Sequence, residues 1–167
     1  MPKQLLIMRH AKSSWADSDV TDHARTLNER GQRDAPQMAQ WIAAQNCLPD
    51  LILCSSAVRA LETAKLFIAN CPQSNTPSLI LVDELYHAQP QTYVMQLAKF
   101  ADKSIQTAMV VGHNPGLEEL ILKLSGHYER MSTGSIAYLR LQVDRWSDML
   151  LSPHAELLAV WRPKEIF

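Results

Sequence analysis

The sequence predicts an α/β fold: a single domain over residues 1–167, a three-layer α/β/α sandwich whose mostly parallel central sheet gains antiparallel strands late in the chain. Three observations carry this. Short, wholly apolar runs alternate with longer amphipathic segments through the first two thirds of the chain, and such alternation implies a sheet covered by helices on both faces with right-handed crossovers. The C-terminal third instead offers two strand-like runs without an obvious helix between them. No internal repeat, low-complexity tract or linker divides the whole.

Leu5 to Met8 is apolar throughout, as expected of a strand buried on both faces. Leu27 to Gly31 leads into a helical pattern in which Ala35, Met38, Ala39, Ile42 and Ala43 recur at three- and four-residue steps. Pro49-Asp50 ends it, and Leu51 to Cys54 is a second buried strand. Val58, Leu61, Ala64, Leu66 and Phe67 mark the next helix, closed by Asn70 and Pro72. Leu79 to Val82 is a strand and Thr92 to Phe100 a helix; Ala108 to Val111 is a strand and Pro115 to Leu124 a helix. Ser135 to Val143 and Glu156 to Trp161 read as the closing strands. Met38 and Met95 fall on helix faces and are expected in the core; Trp146 and Trp161 bury either in the domain or in a partner.

Composition narrows the function classes. Of 167 residues, 47% are apolar and 20% charged, which suits an ordinary globular protein. The formal net charge of −1 argues against nucleic acid or an anionic membrane as the main partner, since both select for a large positive excess. Three cysteines with no CxxC pair fit buried thiols in a reducing compartment rather than a disulfide framework or zinc site. The four apolar residues at 5–8 are too few for a signal-peptide core and no run approaches a membrane span, so a cytoplasmic location is expected. Five glycines form neither type of phosphate-binding glycine loop, and no Gly-x-Ser-x-Gly elbow is present.

Ligands of open α/β sheets bind beyond the carboxyl ends of the strands. Arg9 and His10 follow the first strand, and Ser55, Ser56 and then Arg59 follow the second. Asp83 and Glu84 follow the third; Gly112, His113 and Asn114 follow the fourth. Two arginines, two histidines and a carboxylate would thus meet at one edge. Guanidiniums grip phosphate oxygens with paired hydrogen bonds. Asn114-Pro115 reads as a helix start with asparagine as cap, and Ser56 as a cap for the helix carrying Arg59; helix starts offer amide donors to an anion. An imidazole there can attack phosphorus through its unprotonated nitrogen. Two histidines could alternatively hold a metal, but their cationic company lacks the carboxylates or thiolates a metal needs, so no metal and no cofactor are expected.

These residues resemble the histidine phosphatase (phosphoglycerate mutase-like) superfamily, and its small SixA-like phosphohistidine phosphatase branch most closely. The resemblance rests on Leu-Leu-Ile-Met-Arg-His-Ala-Lys-Ser-Ser-Trp at 5–15, Arg-Thr-Leu-Asn-Glu-Arg-Gly-Gln-Arg-Asp-Ala-Pro at 25–36, Cys-Ser-Ser-Ala-Val-Arg-Ala-Leu-Glu-Thr-Ala at 54–64 and Val-Val-Gly-His-Asn-Pro-Gly-Leu-Glu at 110–118, in the family's order. It implies the phosphoglycerate mutase-like fold, His10 as the phosphorylated nucleophile, and Arg9, Arg59 and His113 as the phosphate pocket. Glu84 lies where the family often carries its general acid. Ala11 replaces the superfamily's usual glycine. Ser13, Arg25 and Asn114 are further candidates for substrate binding, the alternatives being a solvated loop for Lys12, Ser13 and Ser14 and a surface salt bridge for Arg25. Trp15 is expected to cover the core rather than border the substrate; His87 is expected near Glu84, and His23, His127 and His154 to be structural or exposed.

The expected chemistry is a phosphohydrolase reaction through phosphohistidine, without a metal. An alkoxide leaving group needs a proton donor, whereas imidazole leaves more easily. The short segment between Asp83 and Phe100 leaves the pocket open to a protein side chain, so protein phosphohistidine is the preferred substrate. A small-molecule phosphomonoesterase or mutase is the alternative, and an inactive phosphohistidine-binding scaffold the reading from another class. Oligomeric state is not legible.

Overall fold

The computed structural model describes residues 2–167. Six strands form one sheet in the order β3-β2-β4-β1-β5-β6: β1 (Lys3–Arg9), β2 (Leu51–Ser55), β3 (Ser78–Val82), β4 (Thr107–Gly112), β5 (Ile136–Leu141) and β6 (Ala155–Trp161). The first four run parallel to their neighbours, while β5 pairs antiparallel with β1 and β6 antiparallel with β5. The helices are α1 (Glu29–Ala44), α2 (Val58–Ala69), α3 (Pro90–Phe100), α4 (Gly116–Ser125) and the short α5 (Pro163–Ile166). This is the expected mixed sheet between helical layers.

Period-two alternation of the strands divides the core. Leu5, Ile7, Leu53 and Val110 pack with Val94 and Leu97 of α3 and Leu117, Leu120 and Ile121 of α4. Leu6, Met8, Ile52 and Val111 pack on the other face with Met38 and Ile42 of α1 and Phe67 of α2. Both faces are covered, which is why these strands read as unbroken apolar runs. Each fully buried Leu, Ile or Val contributes about 1.5–3 kcal/mol of transfer free energy.

The helix after β1 lies on one face and the helix after β4 on the other, though the two strands are adjacent. That divergence opens a crevice at their carboxyl ends.

Local details differ from expectation. Ser56 does not cap α2: Ala57 holds that place and its amide donates to Ser55 Oγ. Asn114 does not cap α4 either. Pro115 is the cap residue, the Asn114–Pro115 peptide is cis, and the Asn114 amide donates to the Met131 carbonyl. Met95 is exposed because the buried stripe of α3 runs through Tyr93, Val94 and Leu97. Trp146 is buried, with its indole N–H donating to Ile105 O at 2.8 Å, and Trp161 stacks on Tyr138. Among the described residues no helix is long and apolar enough to cross a membrane.

Candidate active site

The β1–β4 register places Arg9 beside Gly112, so His10 and His113 are both the first residue past a central buried strand. The His10 amide donates to Gly112 O at 3.1 Å and the two rings lie 5.2 Å apart. Both side chains are buried. His10 Nδ1 lies 2.8 Å from the carbonyl of Ala11, and a carbonyl can only accept, so this contact assigns the proton to Nδ1. Nε2 keeps its lone pair and accepts from Arg59 Nε at 3.3 Å.

The turn after His10 is held from two sides. The Ala11 amide donates to Thr63 Oγ1, whose hydroxyl donates to Arg59 O, tying the turn to α2. The Ala11 methyl is buried against Leu27 and Ala35, so a side chain at this position is accommodated. Asn28 caps α1 by accepting from the Gly31 amide, and its own amide donates to Lys12 O. Gly31 lies directly on the Lys12 carbonyl, where a Cβ would collide.

Arg59, in the first turn of α2, reaches across the crevice: Nη2 donates toward His113 Nδ1 at 3.4 Å. That leaves His113 Nε2–H to donate to Ser55 Oγ at 2.8 Å. Arg9 Nη1 donates to Met131 O, while its buried Nε has no partner. Arg25 is buried, not a surface residue; it donates to Ser13 Oγ at 2.6 Å and its guanidinium lies 3.6 Å from the Trp15 ring. Trp15 is correspondingly no core cover, being 73% exposed at the mouth of the cleft.

Arg9, Lys12, Arg25 and Arg59 face a cleft of about 250 Å³ that contains one carboxylate, Asp22. Burial first, then Arg59, Arg9 and Arg25, push the His10 imidazole down to about 3 from its ordinary 6.5. Burial, His10, Arg59 and His87 push His113 down to about 3 as well. Both rings are neutral at pH 7 with the cleft empty. An anion brought among these cations would find compensation and would favour protonation of His113.

Asp22 is the residue that sequence reasoning missed. Its carboxylate accepts from Arg25 Nε at 3.2 Å, Arg59 Nη2 at 3.1 Å and the Tyr86 hydroxyl, and its carbonyl accepts from Arg59 Nη1 at 2.7 Å. The Tyr86 hydrogen bond and these two guanidiniums hold its carboxyl well below the usual carboxylate range. Its only signal was its place three residues before Arg25, in an irregular stretch. The cleft also gathers Ser13, Asn114 and His87. Glu84 is not brought in: it is exposed on the 3-10 turn Asp83–Leu85, which buries Leu85 instead. His87 accordingly faces Asp22 at 3.6 Å rather than Glu84, and His23 pairs with Ser56 Oγ at 3.1 Å. Among the described residues no group of three or more His, Cys, Asp or Glu side chains is arranged to hold a metal ion.

The family model for the histidine phosphatase superfamily (branch 1) matches residues 5–84. An uncharacterized protein of Mycobacterium leprae is 31% identical over 170 residues, covering 94% of this chain and 100% of the relative. A Nakamurella multipartitia structure assigned as the phosphohistidine phosphatase SixA superposes with a TM-score of 0.81 at 26% identity, over 98% of this chain and 97% of that one. An Escherichia coli structure assigned as an α-ribazole-5′-P phosphatase superposes with a TM-score of 0.70 at 18% identity, over 98% of each chain, and shows the shared fold alone.

Proposed function

The chain belongs to the histidine phosphatase superfamily and is SixA-like, and on that premise we propose that it is a cytoplasmic protein phosphohistidine phosphatase, one domain over residues 1–167, working without a metal. The observation that carries the mechanism is the His10 ring: Nδ1–H is tied to a carbonyl and the Nε2 lone pair is turned into a cleft ringed by cations.

His10 Nε2 attacks phosphorus in line with the departing atom, whose bond to phosphorus breaks as the P–N bond forms. Arg9 and Arg59 hold the equatorial oxygens, joined by His113, and Arg25 and Ser13 complete the grip with Asn114 at the edge. Catalysis rests on positioning and charge compensation, as in phosphoryl transfer generally. Water then attacks the phosphohistidine, returning the electron pair to Nε2 and releasing phosphate. As His10 passes through its charged phosphorylated form, the bound phosphoryl oxygens replace the solvent that burial removed.

The substrate reading rests on the mouth of the cleft. Only the residues 83–89 separate β3 from α3, a connection too short to build a roof over the pocket, which leaves room for a histidine on a folded protein. The one carboxylate lining the cleft is occupied by two arginines and a tyrosine and does not serve as a proton donor, and imidazole is the leaving group with least need of one. The test is to incubate the protein with a radiolabelled phosphohistidine protein, quench in alkali and locate the label. Label on His10 that chases into free phosphate, absent in His10→Ala, is the expected result. Turnover of small phosphoesters with none of any phosphohistidine protein would overturn the substrate assignment. Retention of the phosphoprotein without turnover would favour a binding module.

A further inference from the structure

We propose that His87 protonates the departing atom of the substrate, which extends the reaction to phosphomonoesters of alcohols. The proposal rests on His10 being the nucleophile, since that fixes the departing atom on the opposite, outer side of the phosphoryl group.

Apart from the three arginines and the two buried histidines, the titratable side chains lining the cleft are Lys12, Asp22 and His87. Asp22 is an anion spent on Arg25, Arg59 and Tyr86 and has no proton to give. A lysine ammonium gives up its proton about four pH units less readily than an imidazolium. His87 remains. Its Nε2 lies 3.6 Å from Asp22 Oδ2, so the carboxylate stands ready to hold an imidazolium there.

The backbone presents the ring deliberately. His87 has φ of +56°, in the left-handed region that glycine favours and that asparagine, aspartate and histidine enter more readily than other residues. The residues on both sides are pinned: the Tyr86 hydroxyl donates to Asp22, and the Ala88 carbonyl is packed on Gly116, where any Cβ would collide. Such an over-determined backbone outlier points to a job for its side chain. The ring lies 4.0 Å from Tyr86 and 5.7 Å from His113, bordering both the cleft and an adjoining hollow of about 190 Å³. The titratable and charged groups around it are Asp22 from the loop before α1, Tyr86 on its own turn, His113 beyond β4 and Glu119 of α4 across that hollow, with Arg59 behind Asp22.

In the first step the electron pair of the breaking P–O bond goes to the ester oxygen, which takes the proton from His87 and leaves as the alcohol. Neutral His87 then accepts a proton from the attacking water as its oxygen bonds to phosphorus and the P–N bond returns its pair to His10. The cycle ends with His87 protonated again.

The test compares wild type, His87→Asn and His10→Ala on ethyl phosphate and 4-nitrophenyl phosphate. Asparagine tolerates the left-handed backbone and can still hydrogen-bond Asp22, but carries no transferable proton. The expected result is a fall in kcat/KM for ethyl phosphate of about 100-fold, the lower range for acid–base groups, with 4-nitrophenyl phosphate barely touched. The alkaline limb of the ethyl phosphate profile should also disappear in the variant. Equal losses on both esters, no loss on either, or no wild-type turnover of ethyl phosphate would overturn the role of His87. Full activity in His10→Ala would bring down the nucleophile, and His87 with it, a failure visible apart from the ratio of the two esters.

Discussion

Acid should unfold this protein early, and the two cleft histidines should account for it. Each is held near 3 in the folded state against 6.5 in the unfolded chain. The unfolded state therefore binds more protons between those values, so stability is complete above 6.5 and falls as pH drops toward 3. Each histidine contributes a slope of about 1.4 kcal/mol per pH unit inside the window. Integrated from pH 7 to pH 5, that is about 1.9 kcal/mol for each ring, or about 4 kcal/mol for the pair. Asp22 does not intrude, because its lowered carboxyl begins to matter only below its ordinary 3.8. Urea unfolding followed by tryptophan fluorescence, with buried Trp146 as reporter, measures the effect. With a slope of about 2 kcal/mol per molar urea, the midpoint should move by about 2 M between the two pH values. His10→Gln or His113→Gln should each remove about half of that movement, and the double variant nearly all; comparing pH values within a variant cancels any constant loss of packing. A double variant that loses as much stability as wild type between pH 7 and pH 5 would refute the reasoning.

Three other outcomes are expected. Asp22→Asn removes the counter-ion shared by Arg25 and Arg59, so inorganic phosphate should inhibit more tightly by about fivefold, roughly 1 kcal/mol for a partly exposed pair; unchanged or weaker inhibition contradicts the assignment. Gly31→Ala forces a methyl into the Lys12 carbonyl and should cost about 1–3 kcal/mol, read as a drop in melting temperature that activity follows. Trp15→Ala loses the ring beneath Arg25 and should lower kcat/KM two- to fivefold, about 0.5–1 kcal/mol, with the melting temperature unmoved because Trp15 is exposed.

The parts of this molecule that were legible in advance are those governed by periodicity. Apolar runs such as Leu51–Cys54 announced buried strands, and the strand-end rule then collected Arg9, His10, Arg59 and His113 from distant positions. The rule gives only a location, however, and says nothing about which way the next turn points. After β3 the 3-10 turn buries Leu85 and sends Glu84 into solvent, while His87, two residues after Leu85 and with a positive φ, borders the cleft. Asp22 and Trp15 lie in an irregular stretch held by side-chain bonds to Arg25, Arg59 and Tyr86, and long-range pairing of that kind leaves no period. Asn114-Pro115 failed for a related reason, since the dipeptide is equally a helix start and a cis turn, and the Met131 carbonyl that decides between them is far along the chain.

His10 and His113 directly follow the two central strands, whereas Trp15, Asp22 and His87 belong to the loops that border the cleft. Inheritance acts differently on the two sets. Substitutions in the loops can redraw which phosphoryl donors are welcomed while the transfer step survives intact, so descendants of one ancestral sheet can trade one metabolic task for another without an inactive intermediate.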